Sequence, residues 1–177
     1  MINGLIDFID KLKKIPSISI KINHCRGTPK SWNPLKVGNK NRPGRWHIMG
    51  KFGALYLGEN KEVCRNEIDR NLMGVRTAVE YKLTEMNLTL KKVLDLTNTK
   101  NLKILGVTKK QITSGSSKII KEVKIPNSIA MSAYKMGYEA ILAPSSTGKG
   151  TTLNIYEENL KRSSTIRIIG EEDLSFN

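Results

Sequence analysis

The sequence predicts an α+β fold, a mixed, mostly antiparallel β core flanked by helices. Three observations predict it. Short runs alternate apolar and polar residues with period two, most plainly Ile18, Ile20 and Ile22 against Ser19, Lys21 and Asn23, as a strand with one buried face does. Other runs repeat apolar residues at helical spacing, as Ile129, Ala130, Ala133 and Met136 do. Finally, 177 residues with no internal repeat and no dividing linker fit a single domain, 1–177, long enough to bury a sizeable core.

Taken in order, Ile2, Leu5, Ile6, Ile9 and Leu12 predict an amphipathic helix over 2–14, an appendage that Pro16 ends. The strand at 18–22 follows and delivers Arg26 at its end. Residues 27–44, with Gly27, Pro29, Pro34, Gly38, Pro43 and Gly44, predict a long irregular loop. Two short strands, about 45–49 and 53–58, meet at Gly50. A helix over about 60–72 takes Asn60 as N-cap and Glu62 in its first turn, and places Val63, Glu67 and Arg70 on one face. Strands at 77–86 and 88–96 supply core positions from Val79 to Leu96, whereas 98–107 and 108–121 show no clear period. Pro126-Asn127 precedes a helix over about 127–136 that Gly137 stops. A strand at 138–143 ends at Pro144-Ser145-Ser146, and strands at 151–157 and 164–169 complete the sheet.

Charge is the extreme of the composition: 30 Lys and Arg against 16 Asp and Glu give a net +14. Such a field favours polyanions, whether nucleic acid, an acidic protein or phosphorylated small molecules entering a basic cleft. The lysines are dispersed and not interleaved with aromatics, so direct nucleic-acid binding is not expected and a solvated basic surface is. No apolar run approaches the ~18–20 residues that span a bilayer, and no membrane partner is expected. The N-terminus carries Asp7 and Asp10 within its apolar part and its lysines after it, the reverse of a secretory signal, which predicts a cytoplasmic protein. Cys25 and Cys64 lack disulfide or C-x-x-C spacing and read as reduced thiols; with His24 and His47 scattered, no metal is expected.

The run Ala143–Thr151 fails the phosphate-loop pattern twice, with Ala143 at the first glycine and Gly150 at the metal-binding hydroxyl. It can still be a strand-end loop that points the Ser145 hydroxyl into a cleft. No Ser-His-acid nucleophile is apparent. The stretch from Gly44 to Glu67 is more informative, because Arg45, Tyr56 and Glu67 lie eleven residues apart on a loop, a strand and a helix. Three such groups can converge on one cleft only if that strand and helix pack together. Each also has an ordinary explanation: Arg45 as a turn cap, Tyr56 as a half-buried strand aromatic, Glu67 as a helix charge paired with Arg65 or Arg70, Ser145 as part of a Ser/Gly turn.

Together these residues resemble the RES family, a domain named for its arginine, glutamate and serine and found as the toxin of bacterial toxin–antitoxin pairs. The matching features are Arg26 after the first strand, Gly44-Arg45-Trp46, Tyr56 in ALYL, Glu67, Gly137-Tyr138, Pro144-Ser145 and Leu153-Asn154, spanning about residues 18–157. The chain departs from the usual pattern at His47, where Asn follows GRW, and at Cys64, where Ala precedes the glutamate. The resemblance implies an ADP-ribosyltransferase-like core and an enzyme, an NAD glycohydrolase or NAD phosphorylase, that cleaves the nicotinamide–ribose bond with water or phosphate as acceptor. NAD is then substrate, no further cofactor is needed, and an Xre-type helix-turn-helix antitoxin is the expected partner. Carried over by motif, Glu67, Arg45 and Tyr56 are the catalytic candidates, and Arg26, Arg45, Tyr56, Ser145 and Asn154 the NAD-binding ones. Transfer of ADP-ribose to a macromolecule, and a basic nucleic-acid-binding module without catalysis, are the alternatives; homo-oligomerisation is left open.

Overall fold

The computed structural model describes residues 4–72, 79–115 and 119–174. Its strands are β1 (Ile18–Pro29), β2 (Leu55–Gly58), β3 (Tyr81–Asp95), β4 (Ala140–Pro144), β5 (Thr151–Ile155) and β6 (Thr165–Leu174). The α-helices are α1 (Ile9–Leu12), α2 (Lys61–Leu72), α3 (Thr99–Leu105), α4 (Lys109–Thr113) and α5 (Lys124–Lys135).

The sheet is mixed and closes on itself. β1 lies antiparallel to both β2 and β3; β2 pairs with β5, β5 with β4, and β4 runs parallel to β3, completing a barrel-like ring. β3 has the length to do this: β1 follows one edge from Tyr81 to Val93, and the other edge is shared by β6 against residues 81–89 and β4 against residues 93–95. One face of the sheet buries Leu55, Leu57, Met86, Leu88, Leu90, Leu153 and Ile155, with Ile18, Ile20 and Ile22 packed against them. The opposite face packs Ile141, Ala143 and Tyr156 against the helical layer, through Phe8, Leu12, Leu102, Leu105, Ile112, Ile129 and Ala133. α2 forms a third contact, where Ile68 joins Cys25, Cys64, Leu83 and Leu174. A β-carbon at Gly27 would come within 2.1 Å of Ile68 Cδ1, so glycine lets the helix approach β1 this closely.

Several expected elements change length for identifiable reasons. Of the helix expected at 2–14, residues 2–3 lie outside the described ones and the rest holds one turn, Ile9–Leu12. Upstream, the amides of Ile6 and Phe8 donate to Ser128 Oγ and Ser132 Oγ of α5, so that segment is bound as an extended strap instead of bonding itself. The strand expected at 45–49 is a single bridge between Ile48 and Phe52. The separate strands at 77–86 and 88–96 are one strand, because Asn87 stays in both ladders, opposite Asn23 and Arg167; residues 77–78 lie outside the described ones. β1 and β6 both outrun the alternation that predicted them, and the helix expected from 127 begins at Lys124, with Pro126 in the first turn where its missing amide is tolerated. The unassigned stretch holds two short capped helices: Asn98 accepts from the Lys100 amide, and Thr108 and Gln111 form a reciprocal capping box.

Candidate functional site

The site is assembled from the Gly44–His47 loop, β2, α2 and the loop after β4. Asn127, in the first turn of α5, holds the loop: its amide nitrogen donates to the carbonyls of Gly44 (2.7 Å), Arg45 (2.8 Å) and His47 (3.3 Å). A buried side-chain amide thereby does for this irregular segment what a ladder does for a strand. A β-carbon at Gly44 would lie 1.9 Å from His47 Cε1, so the glycine is where the imidazole folds back.

Tyr56, on β2, sits beneath this loop. Its hydroxyl accepts from the Trp46 amide at 2.8 Å and lies 2.9 Å from His47 Nδ1. His47 Nε2 lies 2.9 Å from the Arg42 carbonyl, which only accepts, so Nε2 carries the proton and Nδ1 accepts from the Tyr56 hydroxyl. Burial pushes the Tyr56 phenol well above its ordinary range and holds the His47 imidazolium pKa down, consistent with a neutral relay.

Glu67 is on α2, whose start is capped by Asn60 Oδ1 accepting from the Val63 amide at 3.0 Å. Its Oε1 accepts from Ser145 Oγ at 2.6 Å, and both oxygens lie 3.3 Å from Ser146 Oγ. Among the described residues Glu67 makes no ion pair. The loop after β4 is shaped for this contact: Ser145 N–H donates to the Gly150 carbonyl, and Thr147 N–H donates back to Ser145 Oγ. Lys149, in the run that resembles a phosphate loop, turns away to Glu62 at 3.0 Å.

A cleft of about 810 Å³ lies between these elements, and Arg26, Arg45, Tyr56, Glu67 and Ser146 are on its wall. Four of the expected site residues are therefore brought together. The two arginines are also structural. Arg45 donates through Nη1 to the carbonyls of Ile112 (3.1 Å) and Ser114 (2.7 Å), and through Nη2 to Gly115 (2.7 Å), placing its charge at the C-terminal end of α4. Arg26 continues the face of Ile18, Ile20 and Ile22 and donates to the carbonyls of Pro34 and Lys36. Burial lowers its pKa to about 10, which leaves it charged at neutral pH.

Ser145 and Asn154 lie off the cleft wall. Ser145 is buried and reaches the site through Glu67, with Ser146 the hydroxyl at the surface of the cleft. Asn154, directly opposite Tyr56 in the ladder, donates to the Ile141 carbonyl at 3.1 Å and has a buried Oδ1 with no partner among the described residues. Asn127, His47 and Ser146 are the contributors that sequence reasoning missed. Asn127 read only as a residue before a helix, and the signal for His47 was its departure from the GRW-Asn pattern. Cys64, the other departure, donates its thiol to the Cys25 carbonyl at 2.7 Å, and both cysteines are free. Among the described residues no group of three His, Cys, Asp or Glu side chains is placed to hold a metal ion.

No family model matches the chain. The NAD(+) phosphorylase MbcT of Mycobacterium tuberculosis, and that of Mycobacterium bovis, is 24% identical to it over 130 residues, 70% of this chain and 67% of the relative. In fold the chain is similar to the M. tuberculosis MbcT–MbcA toxin–antitoxin complex, with a TM-score of 0.78 at 19% identity over 95% of this chain and 92% of that one.

Proposed function

We propose that this protein is the toxin of an RES-type toxin–antitoxin pair, with an ADP-ribosyltransferase-like core, and depletes NAD by cleaving the nicotinamide–ribose bond with inorganic phosphate as acceptor. The observation that carries the reading is Glu67, a carboxylate held on the wall of a cation-rich cleft by the Ser145 and Ser146 hydroxyls. The similarity to an NAD(+) phosphorylase supports both substrate and acceptor.

The chemistry needs such a group. As the bond breaks, its electron pair leaves with neutral nicotinamide and the ribose gains oxocarbenium character, which a fixed carboxylate near the anomeric carbon stabilises. A phosphate oxygen then bonds that carbon, giving ADP-ribose 1″-phosphate. On this reading the Ser145 and Ser146 hydroxyls, donating to the Glu67 carboxylate, hold it in one rotamer facing the cleft. Arg26 and Arg45 supply positive potential for the pyrophosphate while anchoring the cleft walls. Tyr56, with its hydroxyl committed to His47, offers the nicotinamide its ring. The partner is an Xre-type helix-turn-helix antitoxin that covers the cleft, and the toxin acts in the cytoplasm as one domain without a metal.

Product analysis of purified protein with NAD, with and without phosphate, tests the reading. Free nicotinamide and a phosphorylated ADP-ribose are expected, and Glu67→Gln should lose about 100-fold or more in rate with an unchanged melting temperature. Plain ADP-ribose in the presence of phosphate would make water the acceptor, and label on a protein or nucleic-acid band would make the enzyme a transferase. Unchanged NAD after incubation with folded, antitoxin-free protein would sink the proposal.

A further inference from the structure

The chain has two tryptophans, and the fold treats them oppositely. Both belong to the wall of the cleft, but Trp46 is 2% exposed whereas Trp32 is 41% exposed. Leaving an indole in water forgoes a large hydrophobic gain, so its exposure at a cleft is where a ligand is to be sought. Among the described residues no other aromatic side chain is exposed to this degree.

The loop that presents Trp32 is rigidly built. Trp32 N–H donates to the Pro29 carbonyl at 2.9 Å, and the buried Arg26 guanidinium ties down the carbonyls of Pro34 and Lys36. Asn39 exchanges two hydrogen bonds with the backbone of Ala54, at 2.8 and 3.1 Å. A β-carbon at Gly38 would lie 2.9 Å from Trp32 Cζ3, so the loop passes directly beneath the benzo ring and supports it from that side. A buried charged side chain and a doubly bonded amide thus hold an aromatic ring out, rather than in.

We propose that Trp32 is a stacking platform for the adenine ring of the dinucleotide substrate. The inference rests on the NAD reading and deepens it. Glu67 and Tyr56 wall the part of the cleft assigned to the nicotinamide ribose, and Arg26, Arg42 and Arg45 bring cations to the same cavity, suited to a pyrophosphate. A dinucleotide then has a second ring to place, planar, uncharged and recognisable through its face, and the indole face of Trp32 matches it. Stacking remote from the breaking bond contributes equally to ground and transition states, so it belongs in substrate binding and not in the chemical step.

Steady-state kinetics of Trp32→Ala and Trp32→Phe, joined to a fluorescence titration with AMP, test this. Trp32→Ala should raise the KM for NAD about tenfold with kcat within about twofold, and Trp32→Phe should recover to within about threefold of wild type. AMP should quench wild-type emission saturably and quench the emission of Trp32→Phe, which comes from the buried Trp46 alone, by less than a third as much. An unaltered KM in Trp32→Ala, a loss of kcat without a change in KM, or wild-type emission indifferent to AMP would each overturn the platform. A wild-type protein inert toward NAD would sink the functional reading by itself, while the AMP titration would still decide the role of Trp32.

Discussion

The Tyr56 hydroxyl has one lone pair taken by the Trp46 amide and its proton taken by His47, so its orientation is set by two neighbours from the loop above it. His47→Gln supplies an amide oxygen that can accept the same proton and should keep the fold and most of the activity. His47→Phe leaves the buried hydroxyl without an acceptor and should cost about 1–3 kcal/mol in urea denaturation. The relay also predicts a pH dependence. Burial lowers the His47 pKa on folding, so folding favours the neutral ring. Its contribution to stability is therefore present above the unfolded value of about 6.5 and is lost as pH falls through the lower folded value. His24, also lowered by burial, acts in the same direction. The denaturation midpoint should fall as pH drops below about 6.5, and His47→Gln should flatten the slope without abolishing it.

At the scale of the elements, what was legible was what is local. The alternation of isoleucines located β1, Asn60 marked the start of α2, and the spacing of Arg45, Tyr56 and Glu67 predicted a convergence that the packing of α2 against β1 and β2 produces. What was not legible depends on partners distant in sequence. The Gly44–His47 loop is shaped by Asn127, about 80 residues away, and the N-terminal strap is extended because Ser128 and Ser132 take its amides. Glu139 is a third case. Fully buried between β3 and the segment after β5, it accepts from the amides of Lys91 (2.6 Å), Lys92 (2.7 Å) and Lys161 (2.8 Å) and from Ser164 Oγ. Burial alone would raise its pKa, but these donors outweigh it and hold the carboxyl below its ordinary value. Glu139→Gln turns amide hydrogens toward amide donors and should destabilise the protein by about 2–3 kcal/mol in urea titration. With the carboxylate in place, its contribution is present above pH ~4.5 and is lost as acid protonates it below that. Asn127→Ala should lower activity more than its stability cost implies, because it frees the backbone that carries Arg45 and His47.

At the scale of the whole molecule, the net charge of +14 has to be reconciled with the small anionic substrate proposed for the cleft. The ion pairs among described residues, such as Lys13–Asp10 and Lys149–Glu62, lie at the surface and leave the excess untouched, since their carboxylates are already counted in it. The lysines are spread over the surface, on strands and loops as well as on the helical layer at Lys100, Lys103, Lys109, Lys110, Lys121 and Lys124, while the cleft itself gathers Arg26, Arg42 and Arg45 around the single carboxylate of Glu67. Such a distribution attracts an anion from a distance and adds little once it is bound, since the groups that touch it are few and partly screened by their own backbone acceptors. Salt should therefore act on capture and not on turnover. Raising ionic strength from about 0.05 to 0.3 M, which shortens the screening length to well under 10 Å, should lower kcat/KM for NAD about two- to fivefold and leave kcat nearly unchanged. Heparin retention should weaken over the same range and be identical for wild type and Glu67→Gln, because the surface field does not depend on that carboxylate. A kcat that falls in parallel with kcat/KM would mean that salt disturbs the cleft itself. If heparin binding and NAD cleavage were instead lost together in Glu67→Gln, the basic surface and the catalytic cleft could not be treated as separate devices.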